Sequence, residues 1–258
     1  MENRRMHIRG QTAIVTGASS GLGAATARML SDGGAKVALF DRNQAAGETL
    51  AEELGGQFFR VDVTQESEVD QALDAVNSNY GTARILVNCA GVAPAIKTVS
   101  HKFIPHPLED FRRVVEINLV GTFLILSHFA ARLAAAGPVG EEAGVIVNTA
   151  SIAAFEGQVG HAAYSASKAG IVGLTLPIAR ELAASRIRVM TIAPGVFETP
   201  LLMGMSERIR ESIAKQIPHP NRFARPDEFA RLVEAIVTNP VLNGETIRID
   251  GAARLPSR

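Results

Sequence analysis

The chain has 258 residues, which is long enough for one large α/β domain that buries a sizeable core. Its 26 basic and 26 acidic residues cancel, so no charged face indicates nucleic acid or a membrane surface as a partner. The single cysteine excludes an internal disulfide and is typical of a reducing compartment. We therefore expect a soluble protein of the cytoplasm, or of the mitochondrial matrix if the source is eukaryotic.

Short runs rich in β-branched and aromatic residues alternate with helical patterns along the chain. The predicted strands are Thr12–Thr16, Lys36–Phe40, Phe58–Val61, Ile85–Asn88, Gly144–Thr149, Arg188–Ile192 and Thr246–Ile249. The predicted helices are Gly23–Ser31, Gln44–Leu54, Glu66–Asn79, Leu108–Ala136, Ala162–Ala184, Ser206–Gln216 and Asp227–Thr238. Most strand runs are continuously apolar, as expected for parallel strands covered on both faces. The alternation predicts an α/β protein: a single-domain, doubly wound Rossmann fold over residues 1–258 with a mostly parallel, seven-stranded sheet.

Two segments interrupt this alternation. The first, Ala93–Pro107, holds three prolines and two histidines, and the second, Val196–Pro220, follows Pro194-Gly195. Because ligands bind beside the carboxyl ends of parallel strands, we expect both segments to border the substrate. The apolar stretch Ile117–Gly137 is broken by polar and charged residues, so we expect a buried or interface helix there rather than a membrane span.

A glycine-rich turn, Thr16–Gly23, joins the first strand to the first helix. Glycines at this place permit a tight turn and a close approach of the backbone to a pyrophosphate, which the helix N-terminus would face. A glycine-rich turn alone is common in loops of any kind. Its position between the first strand and the first helix is what predicts a dinucleotide cofactor.

Acidic residues end the second and third strands. At Asp41 a carboxylate would accept hydrogen bonds from the adenosine ribose and repel a 2′-phosphate, so the sequence predicts NAD rather than NADP. Arg42 is adjacent and could blur that preference, although the glycine turn contains no basic residue. Asp62 and Val63 are placed to contact the adenine ring. For Asp62, an N-cap of the helix that begins near Gln65 is an equal alternative.

Tyr164 and Lys168 are four residues apart in a helical pattern and therefore share one face of the helix. A free tyrosine has a pKa of about 10, and a neighbouring ammonium lowers it. We expect Lys168 to bring the pKa of Tyr164 towards neutrality, which would make this phenol a general acid or base. Ser151, upstream, offers a hydroxyl that can polarise a carbonyl.

These motifs together resemble the short-chain dehydrogenase/reductase family, over roughly Gly10 to Ala252. The resemblance rests on the glycine turn, Asn88-Cys-Ala-Gly91, Asn118, Ser151 thirteen residues before Tyr164, Tyr164-Ser-Ala-Ser-Lys168 and Pro194-Gly195. Within the family, three longer runs are similar to the type 2 3-hydroxyacyl-CoA dehydrogenases, which are also known as multifunctional 17β-hydroxysteroid dehydrogenases. These runs are Asn148–Gly160, Arg188–Gly195 and Asn243–Gly251.

The resemblance implies a set of functional residues. The implied cofactor-binding residues are Gly17, Ser20, Gly21, Leu22, Gly23, Asp41, Asp62, Val63, Cys89, Gly91, Tyr164, Lys168, Pro194, Phe197 and Thr199. Among them, Lys168 would bind the nicotinamide ribose, and Phe197 and Thr199 would meet the carboxamide. The implied catalytic residues are Asn118, Ser151, Tyr164 and Lys168, where Asn118 supports a water-linked proton relay to Lys168. The implied substrate-binding residues are Ser151, Gln158 and Tyr164.

Several other residues have a plain structural interpretation. We expect Cys89 to be a small packed residue and not a nucleophile. His101 and His106 lack a suitably spaced Cys or carboxylate, so we predict no metal site. His161 is expected to begin a helix or line a pocket without an essential role. For Gln158, contact with a substrate thioester and capping of its own loop remain equal alternatives. Glu198 departs from the small residue expected at its position.

The function predicted in this way is NAD-dependent interconversion of 3-hydroxyacyl-CoA and 3-oxoacyl-CoA, with hydroxysteroids as secondary substrates. Cations at Lys97, His101 and Lys102 suit the coenzyme A phosphates, and the apolar side chains of Leu201, Leu202, Met203 and Met205 suit an acyl chain. The alternatives are a 3-oxoacyl-carrier-protein reductase, another short-chain alcohol dehydrogenase, and a non-catalytic binding scaffold. Apolar helices in excess of what the sheet needs, together with the resemblance, imply a homotetramer.

Overall fold

The structure is a computed structural model that describes residues 6–199, 202 and 206–255. The strands are β1 (Thr12–Thr16), β2 (Lys36–Asp41), β3 (Gln57–Arg60), β4 (Ala83–Asn88), β5 (Gly144–Thr149), β6 (Ile187–Pro194) and β7 (Thr246–Ile249). The helices are α1 (Gly21–Asp32), α2 (Gln44–Leu54), α3 (Glu66–Tyr80), α4 (Leu108–Val115), α5 (Gly121–Ala136), α6 (Ala162–Leu182), α7 (Glu207–Ala214) and α8 (Pro226–Thr238). The predicted α/β alternation is confirmed, with shifts of a few residues at most ends.

All seven strands lie in one sheet of order β3-β2-β1-β4-β5-β6-β7, and every pairing between neighbouring strands is parallel. The sheet is therefore fully parallel where the sequence predicted it to be mostly so. The strand order reverses direction between β1 and β4. In a doubly wound sheet this reversal opens a crevice at the carboxyl ends of the strands, where ligands bind.

Helices cover both faces of the sheet and bury two apolar layers. On one face α1 and α8 pack on β1, β4 and β5, with Leu30, Phe229 and Val233 fully buried. On the other face α3 and α5 contribute Leu73, Ile125 and Phe129 to the second layer. Strands buried on both faces explain why the sequence runs are continuously apolar instead of alternating.

The predicted helix Leu108–Ala136 is continuous but not uniform. A π-helical turn, Glu116–Val120, separates α4 from α5, and a turn of this kind often marks a functional site. Among the described residues, this is the one stretch whose length and composition would allow it to cross a membrane. Its residues Ile125, Phe129 and Leu133 are nearly inaccessible and lie in the core beside the sheet.

A buried ion pair joins β6 to the turn before β5. Arg188 Nε donates to Glu142 Oε2 at 2.6 Å, and the two side chains are only 6% and 7% exposed. The remaining guanidinium nitrogens donate to the carbonyls of Ile236, Val237 and Leu242. Arg188 thereby satisfies the carbonyls of Ile236 and Val237 at the end of α8, which have no partner within the helix, and the Leu242 carbonyl beyond it.

Candidate active site

The glycine turn between β1 and α1 forms the floor of the crevice. Gly17 and Gly21 have positive φ angles of 61° and 52°, a region that glycine enters without strain. A Cβ atom at Gly23 would collide with the Gly17 carbonyl, so only glycine lets α1 begin this close to β1. The N-cap Ser20 makes no capping hydrogen bond with its side chain. The first amide groups of α1 therefore form a site suited to an anionic group.

The Asp41 carboxylate is fixed by the backbone around it. Its Oδ2 accepts from the Ser19 amide at 3.0 Å, and its Oδ1 accepts from the Asn43 amide at 2.9 Å. A carboxylate has about four acceptor positions, so it retains capacity for hydroxyl donors. Arg42, the neighbour that could have blurred the cofactor preference, places its Nε 3.4 Å from Asp62. The positive charge of Arg42 is therefore partly neutralised by Asp62.

Asp62 forms a turn of its own. Its Oδ1 accepts from the Thr64 amide at 3.0 Å and from the Thr64 hydroxyl at 2.8 Å. Burial acts to raise the pKa of Asp62, but these hydrogen bonds and the Arg42 charge outweigh it and hold the pKa below its usual range. Because α3 begins at Glu66 with Gln65 as its N-cap, the N-cap alternative for Asp62 is wrong.

Asn118 is fully buried in the π-helical turn and links two other segments. Its Oδ1 accepts from the Val92 amide at 2.8 Å, and its Nδ2 donates to the Val92 carbonyl at 2.9 Å. Nδ2 also donates to Ser167 Oγ at 3.0 Å, and Ser167 in turn donates to the Tyr164 carbonyl at 2.8 Å. The side chain therefore holds the loop after β4 against α6, one residue before Lys168.

Ser151, Tyr164 and Lys168 converge at the carboxyl end of β5. Ser151 precedes a short 3₁₀ turn and accepts from the Ala153 amide at 3.1 Å, while Tyr164 and Lys168 share one face of α6. The Lys168 Nζ atom lies 5.8 Å from the centre of the Tyr164 ring and donates to the Thr149 carbonyl at 2.6 Å. The structure thus brings together the three residues in which the sequence placed the chemistry.

The pKa of Tyr164 moves in the direction opposite to the expected one. Burial raises it above the ordinary value, and a hydrogen bond with Ser151 opposes this only in part. Burial also lowers the pKa of Lys168 to about 8, because the ammonium is almost completely withdrawn from water. The expectation that Lys168 brings the phenol towards neutrality is therefore wrong for the protein by itself. At neutral pH the phenol is protonated and Lys168 carries its charge.

Cys89 lies beside this group as a packed thiol. Burial raises its pKa to about 11, and the Thr149 hydroxyl lies 3.6 Å from its sulfur. Its amide donates to the Thr16 carbonyl, which fixes the backbone after β4 against β1. A thiol with this pKa has almost no thiolate at neutral pH.

One cavity of about 820 Å³ connects the glycine turn to the Tyr164 group. All the cofactor-binding and substrate-binding residues that the family resemblance implied line it: Gly17, Ser20, Gly21, Leu22, Gly23, Asp41, Asp62, Val63, Cys89, Gly91, Ser151, Gln158, Tyr164, Lys168, Pro194, Phe197 and Thr199. Asn118 does not line the cavity, but it hydrogen-bonds to the backbone of the lining residue Val92. A volume of this size is typical of cofactor sites, and a carboxylate at one end with a cation and a phenol at the other suits a dinucleotide.

The comparison with known proteins agrees with this geometry. Residues 11–210 match the family model for the short chain dehydrogenases. The chain belongs to the short-chain dehydrogenase family. It is therefore an oxidoreductase, and enzymes of this family typically use a nicotinamide cofactor and act on a small-molecule substrate.

Relatives in this family cover nearly the whole chain. A protein from Drosophila melanogaster named 3-hydroxyacyl-CoA dehydrogenase type-2 is 51% identical over 252 residues, which are 96% of this chain and 99% of that protein. The Homo sapiens protein of the same name is also 51% identical, with 96% and 97% covered. The crystal structure of 3-hydroxyacyl-CoA dehydrogenase type-2 from Mycobacterium avium matches with a TM-score of 0.93 at 40% identity, covering 96% of this chain and 98% of that chain.

Phe197 lines the cavity of this short-chain dehydrogenase and is largely buried. The ring is only 5% exposed and packs edge-to-face on Phe229, with 6.2 Å between the ring centres. Thr199, by contrast, lies over the glycine turn, since its Cγ2 is the atom nearest to a Cβ built on Gly21, at 3.9 Å.

The two segments predicted to border the substrate, Ala93–Pro107 and Val196–Pro220, both contribute residues that line cavities. Leu202 is buried and lines the cavity, whereas Leu201, Met203 and Met205 fall outside the described residues. In the segment Ala93–Pro107, Lys97 lines a smaller groove of about 460 Å³, and this groove shares Gln158 with the main cavity.

Sequence reasoning missed several residues of the site. Thr149 accepts a hydrogen bond from Lys168 with its backbone carbonyl, and a sequence carries no signal for such a contact. His161 was not missed: it was expected to begin a helix or line a pocket, and it does both, with its ring edge-to-face on Tyr164 at 6.2 Å between ring centres. Leu255 lines the cavity from the far end of the chain.

A cluster of ligand-type side chains outside the cavity was also missed. Glu66 and Asp70 of α3 and His128 of α5 have their ligand atoms within 4.8 Å of one another. Asp70 accepts from His128 Nδ1 at 2.6 Å and from Arg132 at 3.0 Å. Because the Arg132 cation already neutralises a carboxylate, the cluster is explained by ion pairing between α3 and α5.

Proposed function

We propose that this protein is an NAD-dependent 3-hydroxyacyl-CoA dehydrogenase. The convergence of Ser151, Tyr164 and Lys168 at one end of a dinucleotide-sized cavity carries the proposal. The substrate class is supported by relatives of that name at about half identity over almost the full chain. A non-catalytic scaffold would not need these three side chains.

The proposed cofactor is NAD. Asp41 is held by two amide hydrogen bonds on the rim of the cavity, at the end opposite Tyr164. A carboxylate there accepts hydrogen bonds from ribose hydroxyls and repels a 2′-phosphate. The glycine turn, with the N-terminus of α1 behind it, would hold the pyrophosphate, and Lys168 would bind the nicotinamide ribose.

The proton chemistry follows from the described pKa shifts. A bound nicotinamide supplies or accepts the hydride. In the reducing direction Tyr164 donates its proton to the substrate oxygen, for which a raised pKa keeps the phenol protonated. Ser151 donates a hydrogen bond to the same oxygen, and the Lys168 ammonium stabilises the phenolate that remains. Asn118 positions Lys168 through Ser167 and holds the loop at Val92.

Coenzyme A thioesters are the proposed substrates, with hydroxysteroids secondary. The loop after β4 carries the exposed cations Lys97 and Lys102 and the exposed imidazole of His101, which suit the phosphates of coenzyme A. Lys97 lies in a groove that adjoins the cavity through Gln158, so a substrate tail leaving the cavity would meet a positive charge.

We also propose a homotetramer that acts in the cytoplasm or the mitochondrial matrix. The linked helices α4 and α5, together with α6, expose large apolar side chains that the sheet does not cover. Val120, Phe123 and Leu176 are 42%, 50% and 44% exposed, respectively. Apolar helix faces of this kind suit symmetric association with copies of the same chain.

The decisive experiment measures NADH oxidation with acetoacetyl-CoA, the matching pantetheine thioester and a 17-ketosteroid. We expect acetoacetyl-CoA to have the highest kcat/KM, with added salt narrowing its advantage over the pantetheine thioester through screening. A truncated thioester that performs equally well, or a steroid that outcompetes both, would contradict the acyl-CoA assignment while leaving the hydride chemistry intact.

Tyr164→Phe tests the proton donor in the same assay. We expect kcat to fall by about 10² to 10⁴, with NADH binding largely retained, because a positioned acid contributes that factor. Tyr80→Phe is the matched control, since Tyr80 is the other of the two tyrosines and does not line the cavity. Retention of a tenth or more of the wild-type kcat in Tyr164→Phe would overturn the role.

A further inference from the structure

A network of four charged residues lies at the substrate side of the sheet, outside the group of Ser151, Tyr164 and Lys168. Arg248 of β7 donates to both carboxylate oxygens of Glu156, at 2.7 and 2.9 Å, and to Asp250 at 2.7 Å. Arg254 lies 3.4 Å from Glu156 and 3.2 Å from Asp250. Two cations and two anions balance, and the bidentate geometry is the strong, directional form of such a pair.

The network joins two segments that are distant in sequence and both border the cavity. Glu156 lies in the loop between Ser151 and Tyr164, 92 residues before Arg248. Two residues after Glu156, Gln158 lines the cavity. The guanidinium of Arg248 also lies over the Phe155 ring, 5.2 Å from its centre, which fixes the beginning of the same loop.

The same residues fix the end of the described chain. Arg248 and Arg254 both donate to the Ala253 carbonyl, at 3.3 and 2.7 Å. Asp250 packs directly on Gly195, where a Cβ atom would lie 2.8 Å from the Asp250 backbone. The segment 250–255 is therefore held against both the loop after β5 and the segment after β6.

Leu255 is the part of this segment that reaches the cavity. It follows β7, which is the edge strand opposite β3, so it lies on the side of the sheet away from Asp41 and Asp62. Ala253, two residues earlier, packs in a small apolar cluster with Leu202, which also lines the cavity. The end of the chain thus supplies an apolar side chain to the part of the cavity remote from the predicted adenosine site.

We propose that Leu255 determines which acyl chain lengths the enzyme accepts, and that the Glu156–Arg248–Asp250–Arg254 network positions it. Leu255 forms an apolar wall of the substrate pocket, and Glu156 is a positioning residue that acts through Arg248 and the segment 250–255. The network leaves the proton donor and the dinucleotide end untouched. The inference rests on the proposed function for its choice of substrates.

The test compares kcat and KM for a four-carbon and an eight-carbon 3-oxoacyl-CoA, with NADH as the reductant. Coenzyme A is common to both substrates, so the ratio of their kcat/KM values isolates the acyl chain. In Leu255→Ala we expect this ratio, long over short, to rise at least about fivefold, since apolar pockets discriminate by about 10-fold or more per methylene. Leu255→Met, which conserves volume, should stay within about twofold of the wild type.

Glu156→Gln should also raise the ratio of the kcat/KM values, long over short, because it weakens the contacts that hold Leu255 in place. We expect KM for the four-carbon substrate to rise about threefold or more, while kcat and the Kd of NADH change less than about twofold. Glu53→Gln is the matched control, because Glu53 accepts a bidentate pair from Arg28 at 2.9 and 2.7 Å but does not line the cavity. It should leave both ratio and KM unchanged.

The outcomes separate this inference from the proposed function. If Leu255→Ala left the long-over-short ratio of kcat/KM unchanged, the proposed role of Leu255 would be overturned. This holds whatever Glu156→Gln does, and even if that variant does not fold. A normal ratio in a folded Glu156→Gln, or a loss of kcat instead of a rise in KM, would overturn the positioning role. If the wild type reduces neither thioester, the proposed function fails, and the wall is then tested by the same ratio on methyl ketones of increasing length.

Discussion

Replacing Asn118 by Asp perturbs the site without leaving a void. The two side chains have almost the same shape, but the Nδ2 donor becomes a carboxylate oxygen. That atom would face the Val92 carbonyl and Ser167 Oγ, to which Nδ2 donates at 2.9 and 3.0 Å. The Ser167 hydroxyl cannot compensate without giving up its own bond to the Tyr164 carbonyl. One favourable contact, from the Val92 amide, remains.

The expected cost follows from the burial of this position. Asn118 is 0% exposed, so the new carboxylate would be a buried charge with one oxygen facing two acceptors, for which about 3–5 kcal/mol of lost unfolding free energy is typical. In a chain of this length that corresponds to a fall in Tm of about 6–20 °C. Burial would raise the pKa of the introduced carboxyl above its unfolded value of about 3.9. The destabilisation should therefore be largest at pH 7 and shrink as the pH falls towards 4.

Urea unfolding at pH 7 and pH 5 measures this cost, and NADH fluorescence measures cofactor binding. We expect Asn118→Asp to bind NADH more weakly, because the loop at Val92 lines the cavity. Asn79→Asp is the matched control, since Asn79 is exposed and donates only to Gln57. If Asn118→Asp lost less than about 1 kcal/mol of unfolding free energy at pH 7, the reasoning from these hydrogen bonds would be refuted.

Three further predictions concern cofactor choice, pH and stability. The wild type should prefer NADH over NADPH by at least about tenfold in kcat/KM, a ratio that Asp41→Asn should reduce; equal use of both cofactors would show that Arg42 dominates. Because the pKa of Lys168 is lowered to about 8, its charge is present below pH 8 and lost above it. The kcat/KM for reduction of acetoacetyl-CoA should therefore fall as the pH rises from 8 to 10, and a flat profile would contradict this. Arg188→Met should cost about 3–5 kcal/mol in urea unfolding by leaving buried Glu142 unpaired, and Arg188→Met/Glu142→Gln should recover part of it; no recovery in the double variant would count against the buried pair.

The fold was predictable because its signals are local. Continuous apolar runs such as Val145–Val147 indicate strands buried on both faces, and most of these runs are followed by a helix long enough to be recognised from its own periodicity. What the sequence could not provide were details that depend on contacts within the fold. One example is the π-helical turn Glu116–Val120, which lies where Asn118 must face Val92 and Ser167 together.

The candidate site likewise combines features with local sequence signals and features that depend on contacts within the fold. The glycine turn is one continuous segment, and Tyr164 and Lys168 share one helix face, so local spacing already brings their atoms together. Asp41 ends β2 and Ser151 follows β5, and parallel strands of one sheet have their carboxyl ends at the same edge. The sequence by itself therefore determined the family, the cofactor class and the residues proposed for the chemistry.

Only the tertiary structure decided the pKa values of these residues and which side chains enclose the cavity around them. The pKa of Tyr164 rises because burial, which a sequence does not display, outweighs the hydrogen bond from Ser151. Likewise, Glu156 and Arg248 meet across 92 residues through side chains that have no shared pattern. Desolvation and long-range pairing are properties of the packed chain, so neither can be read from the order of its residues.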